Sequence, residues 1–259
     1  MVVNGGKMSA VGDSVTKFPS SVPVVVGIDE LDVVRGNSKV VLADVRWYLD
    51  GRNARDAYAT GRLPGAVFVD VDRDLARESD DATDGRHPFP SPADFAASMS
   101  RLGIGDDTYV VAYDDTGGMT ASRFVVMLRM IGHPASLLDG GINAWTAAGR
   151  RLDSGRAPQT PRAEFTPSPW PRHRRVTKVD LAGLVHDGPS RLGVVLLDAR
   201  STERFLGTAG EAVARLDPRP GHIPGARSAP WNAVVDGSTG ELKPVDELRR
   251  HFKIGRAHV

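Results

Sequence analysis

The second half of the chain repeats segments of the first half in the same order. Three short segments recur in the same order, each about 150 to 160 residues after its first copy. The paired segments are residues 44–46 with 198–200, residues 61–66 with 221–226, and the helix opened by Pro92 with the helix opened by Pro244. Because solenoid repeats are far shorter, this spacing indicates duplicated domains. The chain has 259 residues, enough for two domains of ordinary size.

Strands and helices alternate within each copy. Val40-Val41-Leu42-Ala43 has the pattern of a buried strand and ends at Asp44, while Ser91 is a good N-cap for a helix that starts with Pro92. Alternating strands and helices predict a parallel sheet with helices on its faces. We therefore expect an α/β fold with two tandem domains. The second should be incomplete, because the sequence stops before the counterpart of strand 109–112.

Proline and glycine content suggests where the domains meet. Residues 151–175 contain five prolines among arginines and serines, which is typical of a semi-extended linker. The expected organisation is a loose N-terminal tail (1–21), a first domain (22–150), the linker (151–175), a second domain (176–253) and a non-native tail (254–259).

Composition restricts the classes of function. The formal net charge is +1, so no basic field would gather nucleic acid or anionic lipid. The N-terminal region has no apolar run long enough for a signal peptide or a membrane span. The chain has no cysteine, which excludes disulfides and thiolate chemistry within these residues. We expect a cytoplasmic monomer that binds neither nucleic acid nor membrane.

The strongest site signal follows the apolar strand 109–112. The loop after Asp114 contains Gly117 and Gly118 and leads into a helix that begins near Thr120 or Ser122. Backbone N–H groups of such a loop converge on one point and form an anion cradle. A cradle of this kind usually lowers the pKa of a thiol nucleophile, but here Asp114 takes that place.

Several motifs, some of them within the repeated segments, together carry a family resemblance. They are residues 58–68, Asp70-Val71-Asp72, Tyr113-Asp114, Asp139-Gly140-Gly141 with Trp145, Asp198-Ala199-Arg200 and residues 221–226. From about Val24 to Phe252 the chain resembles the tandem-domain rhodanese family, the thiosulfate and 3-mercaptopyruvate sulfurtransferases. The resemblance implies a catalytically silent first domain with Asp114 at the cysteine position. Arg62 departs from the family's usual histidine.

The resemblance also implies a reaction. In this family a thiolate takes sulfane sulfur as a persulfide and passes it to cyanide or a thiol, without a cofactor or a metal. The partners would be a small-molecule sulfur donor and its acceptor. The catalytic cysteine belongs to the second domain, so this cysteine-free chain should be inactive. If the repeat holds, the counterpart of Asp114 falls at about position 266.

Four residues are candidates for donor binding and proton transfer by resemblance. Arg200 would hold the sulfonate of thiosulfate or the carboxylate of mercaptopyruvate, with Arg204 as a second candidate. Arg46 occupies the same place in the silent domain, so a structural Asp–Arg pairing stays open for Arg200. Asp72 and His87 resemble a proton relay that the mercaptopyruvate branch supplies across the domain cleft. They are equally compatible with ordinary surface residues.

The last six residues, 254–259, resemble a reading frame of a sequencing-library adapter. We expect the natural sequence to follow this chain to about Lys253 and the chain to be a truncated fragment. The alternative is that the end is genuine.

Two other functions stay open. The chain could be a non-catalytic rhodanese-like module that uses the cradle to bind an anion or a partner. Asp114-Asp115-Thr116 also faintly resembles an aspartate phosphotransferase, although the Asp-x-Asp spacing and a Gly-rich phosphate loop are missing.

Overall fold

The computed structural model describes residues 22–81, 84–157, 159–188, 193–210 and 219–253. The predicted tails, 1–21 and 254–259, lie outside the described residues. Among the described residues, no helix combines the length and the apolar character needed to cross a membrane.

The first domain is built on a five-stranded parallel sheet, as predicted from the alternation of strands and helices. The strand order is β1-β5-β4-β2-β3, and every neighbouring pair is parallel. The strands are β1 (Val25–Val26), β2 (Val40–Asp44), β3 (Val67–Phe68), β4 (Tyr109–Tyr113) and β5 (Ala135–Leu138). The helices are α1 (Ile28–Val34), α2 (Ala54–Thr60), α3 (Val71–Asp74), α4 (Pro92–Arg101), α5 (Ala121–Met130) and α6 (Gly141–Ala147).

Strand β4 lies at the centre of this sheet, and all five of its residues are buried. Its side chains alternate between two apolar clusters, so each face of the sheet has a core. Local signals place the flanking helices. Ser91 accepts a hydrogen bond from the Asp94 N–H, and Pro92 occupies the first turn of α4. The carboxyl end of β4 therefore opens at the middle of the sheet edge, where ligand sites of parallel sheets form.

The second domain repeats part of this plan. Strands β6 (Leu196–Asp198) and β7 (Ala226–Ser228) form a parallel pair that corresponds to β2 and β3. The helices are α7 (Lys178–Asp187), α8 (Thr202–Leu206) and α9 (Val245–Lys253), with 3-10 turns at Arg172–Arg174 and Trp231–Val234. Among the described residues, none after Phe165 belongs to the buried core. The reason is that the described part of this sheet contains no counterpart of β4, against which β2 packs in the first domain.

The segment between the domains is extended and packs on the first domain. Residues 159–171 contain no helix or strand. Phe165 is buried against Phe95, and the Trp170 indole N–H donates to the Pro90 carbonyl oxygen at 2.8 Å. These aromatic contacts fix the path of the chain toward the second domain.

Candidate functional site

An Asp–Arg pair follows the equivalent strand in each domain. In the first domain, Arg46 Nε lies 2.9 Å from Asp44 Oδ1 and Arg46 Nη2 lies 2.6 Å from Asp44 Oδ2. Nη2 also donates to the Gly61 carbonyl oxygen at 2.6 Å. The guanidinium thus ties the strand end to the turn at residues 61–66, which leads into β3.

Arg200 makes the same contacts in the second domain. Its Nε and Nη2 lie 2.9 and 2.6 Å from Asp198 Oδ1 and Oδ2, and Nη2 donates to the Gly221 carbonyl oxygen at 2.7 Å. The two environments differ in burial. Burial raises the pKa of Asp44 although Arg46 opposes this, whereas hydrogen bonding to Arg200 lowers the pKa of Asp198.

The cradle after β4 is filled by the side chain of Asp114. Oδ1 accepts hydrogen bonds from the N–H groups of Thr116 and Gly118 at 2.9 and 2.8 Å. Oδ2 accepts from the N–H groups of Thr120 and Ala121 at 2.8 and 2.9 Å, and from Thr120 Oγ1 at 3.0 Å. Asp114 is only 1% exposed. The predicted anion cradle therefore exists, and its anion is an internal carboxylate.

A segment of the second domain covers this cradle. Residues 235–242 form a short hairpin, closed by an antiparallel bridge between Val235 and Leu242. The Leu242 N–H donates to Asp139 Oδ1 of the first domain at 2.7 Å. A Cβ on Gly117, whose φ is +69°, would lie only 2.8 Å from Val235 Cγ1. The close fit requires glycine here, and the hairpin covers part of the cradle loop.

The repeat assigns a counterpart to this hairpin in the first domain. The turn Trp231–Val234 lies 160 residues after α3, so hairpin 235–242 corresponds to the loop that begins at Leu75 and ends before α4. We call this segment loop 75–90. It folds back in a similar way, since the Arg77 N–H donates to the Pro88 carbonyl oxygen at 3.0 Å.

Loop 75–90 brings Asp72 and His87 together. His87 Nε2 lies 2.7 Å from Asp72 Oδ1, and the Trp47 indole N–H donates to Asp72 Oδ2 at 3.1 Å. Because Asp72 accepts at Nε2, the neutral imidazole carries its proton there, and Nδ1 keeps the lone pair. This arrangement presents a carboxylate-oriented imidazole at the carboxyl edge of the first sheet.

Arg123 holds the main chain at both ends of the same loop. Its Nη2 donates to the carbonyl oxygens of Leu75 and His87 at 2.8 and 2.7 Å. His87 has a positive φ of 54°, which is unfavourable for a residue with a Cβ. The bond from Arg123 stabilises this conformation. Burial lowers the pKa of Arg123.

The predicted site residues thus fall into two groups. Asp72 and His87 are paired, while Arg200 lies in the second domain and lines a groove of about 640 Å³ that also contains His222 and Ile223. Arg204 is the third residue of α8, and its charge contributes to lowering the pKa of Asp198. Sequence reasoning missed Trp47, although its position just after Asp44-Val45-Arg46 marks it as a strand-end residue.

Arg62 also has a structural explanation. It donates from Nη1 to the Gly155 carbonyl oxygen at 3.0 Å and from Nη2 to the Arg156 carbonyl oxygen at 2.8 Å. Its counterpart His222 instead stacks on Phe205. Arg62, which stands where the family usually has histidine, therefore ties the start of the linker to the first domain.

Within the described ranges, no cluster of three or more histidine or acidic side chains could hold a metal ion.

Comparison with known proteins gives consistent results. The family model described as rhodanese-like domain matches residues 28–148. The 3-mercaptopyruvate sulfurtransferase of Rattus norvegicus is 36% identical over 224 residues, covering 85% of this chain and 71% of that protein. The 3-mercaptopyruvate sulfurtransferase of Escherichia coli K12 is 34% identical over 232 residues, covering 88% and 77%. The crystal structure of SseA from Escherichia coli, described as a 3-mercaptopyruvate sulfotransferase with the rhodanese fold, superposes with a TM-score of 0.76. That match has 31% identity and covers 92% of this chain and 85% of the other.

Proposed function

Since the chain belongs to the tandem-domain rhodanese family of sulfurtransferases, we propose that it derives from an enzyme that moves sulfur from 3-mercaptopyruvate or thiosulfate to cyanide or a thiol. The sulfur travels as a persulfide on a second-domain cysteine, and the 259-residue chain is inactive without that cysteine. The enzyme is a cytoplasmic monomer.

The observation that carries this proposal is the cover over the first-domain cradle. Hairpin 235–242 of the second domain covers the loop around Asp114. By the repeat, loop 75–90 is the corresponding cover for the cradle of the second domain. His87 is the only histidine in residues 71–90, and on that cover it is paired with Asp72. When each domain covers the cradle of the other in this way, the Asp72–His87 pair lies beside the second-domain nucleophile.

The proposed roles follow from the chemistry of the transfer. A thiolate attacks the donor's sulfur, and the bond between that sulfur and C3 of mercaptopyruvate breaks. The bonding electrons go to the pyruvate enolate, which needs a proton. His87 transfers this proton to the enolate, and the hydrogen bond to Asp72 fixes the tautomer of the imidazole. The persulfide's negative charge is stabilised by converging N–H groups and a helix N-terminus, as the charge of Asp114 is in the first domain.

Arg200 is proposed to bind the anionic group of the donor. It lines the second-domain groove while one edge of its guanidinium holds Asp198 and Gly221. Arg46 makes the same structural contacts in the silent domain, so the pairing alone is not a sign of donor binding. Arg204 adds positive charge near Asp198.

The same geometry bears on the other two functions. Both oxygens of Asp114 are saturated with hydrogen bonds, and the carboxylate is buried. Such a group is a poor nucleophile for phosphoryl transfer, and it leaves no room for a second anion. A binding module that uses the first-domain cradle is therefore disfavoured as well.

We propose three parts for the folded chain: a silent domain at 22–150, a linker at 151–175 and a catalytic domain that starts at 176. In this register, the catalytic cysteine occupies about position 266.

Two measurements test the function. The 259-residue chain, incubated with mercaptopyruvate or thiosulfate and cyanide, should form no more thiocyanate than a buffer control. The coding DNA read past codon 253 should encode an apolar strand followed by a cysteine and a Gly-containing loop. Thiocyanate formation by the present chain, or a continuation without cysteine, would contradict the proposal.

A further inference from the structure

The Asp72 carboxylate is held from two sides although it lies at the surface. Its side chain is 63% exposed, so by itself it would sample several rotamers. Instead Oδ1 faces His87 Nε2 at 2.7 Å, and Oδ2 accepts the Trp47 indole N–H at 3.1 Å. Each oxygen of the carboxylate therefore has its own donor.

Trp47 is itself well anchored. It follows Arg46 directly, and the Arg46 guanidinium is tied to Asp44 and to the Gly61 carbonyl oxygen. Its indole is partly buried and packs against the first-domain core. The same ring meets the His87 imidazole edge-on, with centroids 5.1 Å apart and an interplanar angle of 88°. One side chain thus contacts both members of the Asp72–His87 pair.

The second domain provides an internal comparison. The Asp–Arg pair is present in both domains with nearly the same distances, so it belongs to the fold. In the same register Ser201 corresponds to Trp47, and Asn232 corresponds to Asp72. The Ser201 side chain caps α8. The second domain therefore folds without an indole–carboxylate contact at this place. The contact in the first domain is thus not a requirement of the fold.

We propose that Trp47 is a positioning residue, whose indole N–H fixes the Asp72 carboxylate and so orients the His87 ring. The inference rests on the proposed function of the Asp72–His87 pair. A carboxylate held by the indole presents Oδ1 to Nε2 in a single direction. The imidazole then keeps its proton on Nε2 and its lone pair on Nδ1. Without the indole, water replaces one donor and the carboxylate rotates.

The test uses the 259-residue chain and nuclear magnetic resonance of the ring N–H protons. In the wild-type chain, the His87 Nε2 proton should give a downfield resonance that exchanges slowly with water. In Trp47→Phe, which keeps an aromatic ring beside His87 but removes the donor, this proton should exchange at least about tenfold faster. The matched control is Trp145→Phe, which removes an indole donor to the Arg151 carbonyl oxygen in the other core cluster, away from loop 75–90. It should leave the His87 signal unchanged.

A second variant covers the case in which Trp47→Phe does not fold. Asp72 lies at the surface, so Asp72→Ala should fold, and the Trp47 indole N–H should then shift and exchange about tenfold faster. Unchanged His87 exchange in a folded Trp47→Phe chain, or an unchanged indole signal in Asp72→Ala, would overturn the inference. Neither measurement needs sulfur transfer, so failure of the proposed function would be seen separately, in the thiocyanate assay.

Discussion

The Arg200 guanidinium and the Asp198 carboxylate form a two-point pair at the end of β6, with N···O distances of 2.9 and 2.6 Å. Arg46 and Asp44 form the same pair, with the same two distances, at the end of β2. The two copies differ only in their surroundings, because β4 covers the first pair and nothing equivalent among the described residues covers the second. The two copies therefore allow the effect of burial on the same Asp–Arg pair to be compared within one chain.

Arg46→Met should destabilise the chain more than Arg200→Met. Removing Arg46 leaves the buried Asp44 carboxylate without its cation, which costs about 3 to 5 kcal/mol. The loss in Arg200→Met should be smaller, because solvent reaches Asp198 and Arg200. Urea unfolding measures both, and Arg52→Met, which breaks an exposed pair with Asp50, serves as control. Equal losses at Arg46 and Arg200 would contradict the explanation from burial.

Asp114→Ala should destabilise the first domain and create an anion site. Four backbone N–H groups lose their shared acceptor, while the Thr120 hydroxyl can still donate to the Val45 carbonyl oxygen. We expect a loss of roughly 3 to 5 kcal/mol, since each buried donor left unpaired is costly. Sulfate should raise the Tm of the variant more than chloride does at equal ionic strength. The wild-type chain, with its cradle filled, corrects for the general stabilising effect of sulfate. A sulfate-induced rise in Tm no greater than that of the wild-type chain would argue against an open cradle in the variant.

Arg62→His should loosen the start of the linker. Imidazole is too short to reach the carbonyl oxygens of both Gly155 and Arg156, which Arg62 now binds. Two charge-assisted hydrogen bonds are lost, and we expect a destabilisation of about 2 to 4 kcal/mol. Proteolysis should then occur near residue 156 before any other site in the linker. Arg151→His, at an exposed position nearby, should leave the cleavage pattern as it is.

Acid should weaken the first domain through His133. Burial lowers the pKa of this residue below its ordinary value of 6.5, although the carbonyl oxygens of Gly105 and Pro134 partly offset the effect. Asp106 is the acidic group that acts on it. The unfolded chain therefore binds the proton more readily, so this contribution to stability is complete above pH 6.5 and is lost as the pH falls below it.

His133→Gln removes this titration and keeps a hydrogen-bond donor. The free energy of unfolding of the wild-type chain, relative to this variant, should decline between pH 7 and pH 5. Using the difference cancels the titration of the other histidines. A constant difference over this range would show that His133 does not titrate between the folded and unfolded states.

Local sequence signals were enough to predict much of the architecture. The alternation of strands and helices predicted the parallel sheet, and the Ser91 cap predicted the start of α4. The cradle could be predicted as well, because strand, glycine loop and helix are contiguous around Asp114. Each of these features depends on residues that are close in the sequence, so the chain specifies it without knowledge of the fold.

Contacts between distant residues required the tertiary structure. The strand order β1-β5-β4-β2-β3 brings the ends of β2 and β4 to the same edge, and it does not follow from the order along the chain. Trp47 reaches Asp72 across 25 residues, and Leu242 reaches Asp139 across 103. The sequence by itself determined two related domains and an anion cradle filled by aspartate. Only packing decided that a second-domain hairpin covers the first-domain cradle and that Trp47 and His87 both contact Asp72, because such contacts depend on how the elements are placed in space.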